Sequence, residues 1–163
     1  MKLDWIAGFF DGEGSASLRI ARNKTCKYGF QVLPEATIGQ RTQPILAQIQ
    51  RCLGFGRLYR NAYRNKKYGW QLVFHSRADI NRFLALMQTR SILKRRQLAL
   101  LGQAMKLLSN SPQPGARFRG ASIPRETMRK LLVIAEEFRG LNYTKHGRTV
   151  DLSELRQQLD TAA

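Results

Sequence analysis

The sequence predicts an α+β fold, a four-stranded antiparallel sheet with helices on one face, and three observations lead there. Apolar and polar residues alternate in two stretches before residue 40 and in two more between residues 56 and 75, the two-residue period of strands with one buried face. The segments around and between these place apolar residues three and four apart, the period of helices. Glycine, proline and capping residues punctuate each change of period. The order is therefore helix, two strands, helix, two strands, then further helices. A sheet of this kind leaves its second face open.

Residues 3–11 read as a short helix, with Leu3, Ile6, Ala7 and Phe10 on one stripe and Asp4 in the first turn, where an acid is favourable. Gly12 and Gly14 are expected to end it. Over residues 15–24, Ala16, Leu18 and Ile20 face one way, and Ser15, Ser17, Arg19, Ala21 and Asn23 the other. Residues 30–38 repeat the pattern, Phe30, Val32, Ala36 and Ile38 against Gln31, Leu33, Glu35 and Thr37, although Pro34 argues against a central strand. Residues 42–54 form a helix with Thr42 as cap, Pro44 in its first turn and Gly54 as stop. Strands are expected at 56–63 and 68–75, joined through "RNKK"; in the second, Trp70, Leu72 and Phe74 oppose Gln71, Val73 and His75. Ser76 caps a helix over 76–88, and a longer one over 91–108 carries an apolar stripe from Ile92 to Leu108. A loop at 109–115, a helix at 123–140 and a short helix at 151–159 complete the chain.

The 163 residues suffice for one domain with a proper core, expected over 1–163 with a core to residue 109 and a helical extension over 110–163. Lysine and arginine total 28 against 11 acids, a formal charge of +17 that points to a polyanionic partner. The charge is uneven: residues 36–78 hold eight basic residues and no acid, and residues 80–125 again lack acids. Cys26 and Cys52 are isolated and suggest neither a disulfide scaffold nor a zinc site. No membrane span or signal peptide is visible, so an intracellular location is expected. The open sheet face should carry Arg19, Asn23, Gln31, Glu35, Thr37, Tyr59, Asn61, Gln71, Val73 and His75, a mixture of donors and acceptors suited to base edges.

Against this basic field stands "WIAGFFDGEGS", residues 5–15. Gly8 and Gly12 are four apart on one helical face, where they let another backbone come close. Two such helices, crossing at their glycines, would gather Asp11 and Glu13 from two subunits into one place. Crowded carboxylates repel unless cations lie between them, and hard oxygen ligands suit Mg²⁺, which also binds phosphate oxygens. A phosphodiester-cleaving metal site is the sharper reading. The plainer one takes "DGEG" as a surface turn between helix and strand.

"LDWIAGFFDGEGS" resembles the LAGLIDADG motif of homing endonucleases, and the α-β-β-α-β-β-α order up to about Leu108 is similar to that family's core, whose sheet is saddle-like. Its last acidic position is Glu13 in place of aspartate. The resemblance implies that Glu13 and the carbonyl of Gly12 bind the catalytic divalent metal, with Asp11 a lesser catalytic candidate that helps terminate and pack the helix. It further matches Gln40, in "IGQRTQ", to a polar active-site residue at the end of the second strand. Lys94, in "SILKRRQ", matches the lysine near the scissile phosphate, where it can stabilise developing charge; the alternative is plain phosphate anchoring. Arg95 and Arg96 are expected to anchor the backbone. Only one copy of the motif is present, which implies a homodimer with Ala7, Gly8, Asp11 and Gly12 at its interface.

The implied activity is Mg²⁺-dependent, site-specific cleavage of double-stranded DNA at a long pseudo-palindromic target. Short 3′ overhangs, support of intron homing, Mn²⁺ as a substitute and Ca²⁺ binding without cleavage belong to the same expectation. Two alternatives stand beside it, an intron RNA maturase and a non-cleaving DNA-binding regulator of the same fold. The retained Glu13, Gln40 and Lys94 favour the nuclease.

Overall fold

Helix α1 (Leu3–Glu13) runs directly into strand β1 (Gly14–Arg22), and the junction explains one glycine. A Cβ on Gly14 would fall 2.1 Å from the Phe10 ring, so only a residue without a side chain lets helix and strand abut. The helix is longer than the sequence suggested. Gly12 lies inside it, and the turn closes where the Gly14 N–H donates to the Phe10 carbonyl. The computed structural model describes residues 1–62, 68–111, 123–141 and 150–161.

β2 (Phe30–Gln40), α2 (Gln43–Leu53), β3 (Arg57–Ala62), β4 (Tyr68–Phe74) and α3 (Arg77–Met87) follow, giving one sheet of order β1-β2-β4-β3. β4 is central and antiparallel to both neighbours: Thr37 pairs with Val73 and Gly39 with Gln71 on one side, Arg57 with Val73 and Tyr59 with Gln71 on the other. β2 continues through Pro34 because its pairing with β4 begins only at Ala36, so the missing N–H costs no bond on that side. Gly54 stops α2 in the left-handed region, as expected, and its N–H donates to the Gln50 carbonyl. Thr42 occupies the N-cap position without a capping bond, whereas the Ser76 hydroxyl accepts from the Asp79 N–H at 3.0 Å. β4 ends at Phe74, one residue early, and the "RNKK" connection, Tyr63 and positions 112–115 of the expected loop lie outside the described residues.

The longest departure concerns α4 (Arg95–Ser109), which starts four residues later than the helix expected from residue 91. Ile92 and Leu93 are 74% and 77% exposed, and the buried stripe begins at Leu98. Ser91 still donates its N–H to the Met87 carbonyl, but the backbone N–H groups of residues 92–94 are taken by another part of the chain.

The chain divides into two compact units. The first, Met1–Ser17 with Pro34–Gly102, contains α1, the end of β2, α2, β3, β4 and α3. Its helices cover the face that carries Ala36, Ile38, Leu72 and Phe74. Phe83 of α3 stacks on Phe74 at 4.5 Å between ring centroids and meets Phe10 edge-on at 5.0 Å. Each such pair contributes about 0.5–1.5 kcal/mol beyond area burial. The second unit, Leu18–Leu33 with Gln103–Ala163, contains the far ends of β1 and β2, the end of α4, α5 (Arg125–Leu141) and α6 (Leu152–Thr161). Leu131, Leu132, Ala135 and Phe138 of α5 and Leu152, Leu155 and Leu159 of α6 are buried there. Exposed ion pairs Arg129–Asp160 and Arg156–Glu136 join the two helices, while Arg22 donates to both oxygens of Glu154 at 2.8 and 2.7 Å. Among the described residues no helix is long and apolar enough to cross a membrane.

Candidate active site and nucleic-acid face

Asp11 and Glu13 leave the last turn of α1 in different directions. Asp11 is buried, and its carboxylate accepts from the Ser91 hydroxyl and from the backbone N–H groups of Ile92 at 2.7 Å, Leu93 at 3.2 Å and Lys94 at 3.2 Å. These donors lie in the turn that leads into α4, so Asp11 caps the start of a helix that begins 84 residues downstream of it. Burial alone pushes the Asp11 pKa up; the hydrogen bonds from Ser91, Ile92, Leu93 and Lys94 outweigh it and hold the group below its ordinary value. A carboxylate offers about four lone-pair directions, and four donors fill them. Asp11 therefore joins the end of α1 to the turn that leads into α4. Ala7 and Asp11 are 1% and 9% exposed within a single chain.

The opposite face of α1 is bare. Trp5 is 46% exposed and stacks on Phe9 at 5.1 Å, and nothing lies within 4 Å of a Cβ built on Gly8 or Gly12. Two expected interface residues, Gly8 and Gly12, lie on this face. Glu13 is exposed at the helix end, and no hydrogen bond or ion pair from the described residues engages its carboxylate. The carbonyl of Gly12 belongs to the last turn, whose carbonyls have no helical partner. The end of β2 comes alongside, since a Cβ on Gly39 would lie 3.9 Å from the Glu13 carbonyl. Gln40 follows, half-buried, its side-chain oxygen accepting from the Arg41 N–H at 2.7 Å.

Lys94 is drawn to the same helix end. Its Nζ donates to the Asp11 carbonyl at 2.8 Å, a cation at the negative pole of α1. Asp11 thus holds Lys94 twice, by carboxylate and by carbonyl, and the structure brings Glu13, Gly12 and Lys94 together at one end of α1. Arg95 and Arg96 are exposed in the first turn of α4.

No group of three or more metal-ligating His, Cys, Asp or Glu occurs among the described residues. The donor set nevertheless fits Mg²⁺ on one condition. Mg²⁺ is held through one or two carboxylates, with phosphate oxygens and water completing the shell. One protomer offers a single free carboxylate and a carbonyl, so two copies of α1 are needed for a pair.

The open sheet face follows the alternation. Arg19 and Tyr59 are exposed, Gln31, Glu35, Thr37, Asn61 and Gln71 half-buried, and His75 exposed just after β4. Ser15 and Thr37 share a hydrogen bond of 3.0 Å across β1 and β2, and the Tyr59 and His75 rings lie 6.4 Å apart. Val73, paired with Thr37 on one side and Arg57 on the other, is 7% exposed. Arg57, in the same row and exposed, was missed, although it stands two residues before Tyr59 and so shares its face. Asn23 donates to Gln31 at 3.0 Å, and Asn61 donates to Gln71.

A bare glycine-bearing helix that ends in a free carboxylate beside a lysine, under an open polar sheet, defines a nuclease-type architecture. The chain belongs to the LAGLIDADG endonuclease family, whose model matches residues 6–101. It is similar to an archaeal intron-encoded homing endonuclease, I-Vdi141I, complexed with DNA, at 22% identity over 97% of this chain and 94% of that one, with a TM-score of 0.81. The homing endonuclease I-CvuI, in complex with its target in the presence of Ca, is 23% identical over 98% and 93% of the two chains, TM-score 0.81. The homing endonuclease I-TnaI is 23% identical over 100% and 99%, TM-score 0.71. No curated protein matches the chain.

Proposed function

We propose that this protein is a site-specific endonuclease for double-stranded DNA that acts as a homodimer, intracellularly, with Mg²⁺ held by Glu13 and the Gly12 carbonyl of each subunit. The observation that carries the reading is the contrast at the end of α1, where Asp11 is fully engaged and Glu13 has no partner among the described residues. A charged group left free beside a lysine, in a chain of charge +17, is suited to a cation shared with phosphate. DNA-bound relatives of the same fold support the substrate. Bound there, Mg²⁺ would supply Lewis-acid polarisation of the phosphate and a more acidic water. Lys94, fixed on the Asp11 carbonyl, neutralises charge that develops on the phosphate. Gln40 has its oxygen turned back to Arg41 and offers its amide hydrogens to the substrate or its water.

Dimerisation follows from the bare face of Trp5, Gly8 and Gly12, because a helix gains nothing from two exposed glycines unless a second backbone approaches them. The half-sites of the target then form a long pseudo-palindrome, cut to leave short 3′ overhangs, with Mn²⁺ able to replace Mg²⁺ and Ca²⁺ supporting binding without cleavage. Residues 1–109 act as the nuclease core and 110–163 as its helical extension. Intron homing is the role this activity serves.

The test uses purified protein and a randomised duplex library, with Mg²⁺ and with Ca²⁺. Selective cutting in Mg²⁺ and selective binding in Ca²⁺ are expected, and Glu13→Gln should bind while failing to cut. Gly8→Leu should abolish the dimer in sedimentation, since each added side chain would enter the helix contact. Selective binding without any cutting by the wild type would move the protein to the regulatory class, and selectivity for intron RNA alone to the maturase class.

A further inference from the structure

The tip joining β1 and β2 contains a chain of side-chain hydrogen bonds whose direction is fixed from one end. The Oδ1 of Asn23 accepts from the Thr25 backbone N–H at 3.0 Å and from the Thr25 hydroxyl at 2.7 Å. A backbone N–H can only donate, so the atom that faces it is oxygen. The amide nitrogen of Asn23 therefore faces Gln31, 3.0 Å away, and Gln31 must answer with its own oxygen. What remains of Gln31 is its amide nitrogen with two hydrogens, on the open face of the sheet and engaged by no described residue. The backbone holds the tip in place, with Asn23 N–H donating to the Gly29 carbonyl at 2.8 Å and Gly29 N–H to the Cys26 carbonyl at 2.9 Å.

An unconstrained glutamine reads adenine with both ends of its amide, donating to N7 and accepting from N6–H. We infer that Asn23 presets Gln31 as a hydrogen-bond donor, so that the base it meets in the major groove is selected as guanine and not as adenine. Guanine presents two acceptors, N7 and O6, to the two free hydrogens, whereas the oxygen that adenine needs is turned toward Asn23. Asn23 is then a positioning residue for specificity and Gln31 the reader, a division that the alternation of the strand could not show. The inference rests on the DNA reading of the sheet proposed above.

One substitution turns the relay round while keeping the turn. In Asn23→Asp the carboxylate still accepts from Thr25, but it can only accept from Gln31. The Gln31 amide must flip and present its oxygen outward. Target profiling in Ca²⁺ for wild type, Gln31→Ala and Asn23→Asp decides the matter. At the base position whose preference Gln31→Ala erases, the wild type should favour guanine. Asn23→Asp should transfer the preference to a base with an exposed amino group, cytosine or adenine, by a factor on the order of tenfold. A uniform loss of affinity from the added negative charge leaves that ratio unmoved. A wild-type preference for adenine at this position, or an Asn23→Asp profile equal to wild type, overturns the inference. Should the wild type select no duplex at all, the DNA reading fails by itself. The relay is then judged by NMR of the free protein, where slow exchange of the Thr25 amide and an Asn23 side-chain amide shift that vanishes in Gln31→Ala support it. Fast exchange with no such shift overturns it.

Discussion

The buried and the bare side of α1 end in two carboxylates only two residues apart, and they have opposite surroundings. Asp11 points inward and accepts four hydrogen bonds, while Glu13 points outward and accepts none from the described residues. On the inner side the acid is part of the scaffold: it caps α4 and, through its carbonyl, fixes Lys94. On the outer side the acid is left available for a ligand. The lesson is that charge in a short motif acquires its role from which helical face it falls on, because burial decides whether backbone donors or a cation answer it.

This contrast makes separable predictions. The largest effect should come from Glu13→Gln, which removes the free charge: cutting is lost while the denaturation midpoint stays near wild type, as parallel cleavage and urea titrations would show. Loss of stability in this variant would mean that Glu13 belongs to the scaffold after all. Lys94→Met should slow single-turnover cutting by about 10²–10³-fold, the range for removing one preorganised donor at developing charge. An unchanged rate with weakened binding would reduce Lys94 to a phosphate anchor.

Asp11→Ala should reverse the pattern of Glu13, costing about 2 kcal/mol or more of stability, since it strips a buried cap and leaves the Ser91 hydroxyl without its acceptor. Chemical denaturation measures this directly. Acid sharpens the same point. Because the Asp11 pKa is depressed on folding, its contribution is fully present above the ordinary carboxylate range and is lost as pH falls through the depressed value. The stability gap between wild type and Asp11→Asn should hold constant from neutral pH down to that range and close below it. The smallest effect is expected at Asp151, which caps α6 by accepting from the Ser153 N–H at 2.8 Å and from its hydroxyl. Fully in solvent, it loses to water what Asp11 keeps, so Asp151→Ala should shift the midpoint far less than Asp11→Ala.

Much of the fold was legible because it rests on periodicity. The alternation around Leu18, Val32 and Leu72 named the buried face, and Gly54 and Ser76 marked helix ends whose bonds are local. The start of α4 was not legible. "SILKRRQ" has helical spacing, but the donors of Ile92, Leu93 and Lys94 are claimed by Asp11, a partner no local window contains. The burial of Val73 was not legible for a related reason, since its partners Thr37 and Arg57 lie on the two neighbouring strands. In the candidate site, the free Glu13 lay in the motif itself, whereas the hold of Asp11 on Lys94 came from contact across the sequence.

By itself the sequence determined the order of elements, the buried face of the sheet, the basic charge and the acid-bearing glycine helix, because each depends on residue types at fixed local spacing. Only the tertiary structure decided which carboxylate is structural, where α4 begins, and which way the amide of Gln31 faces. Those depend on single hydrogen-bond partners, and a donor is assigned to an acceptor only when folding brings the two within about 3 Å.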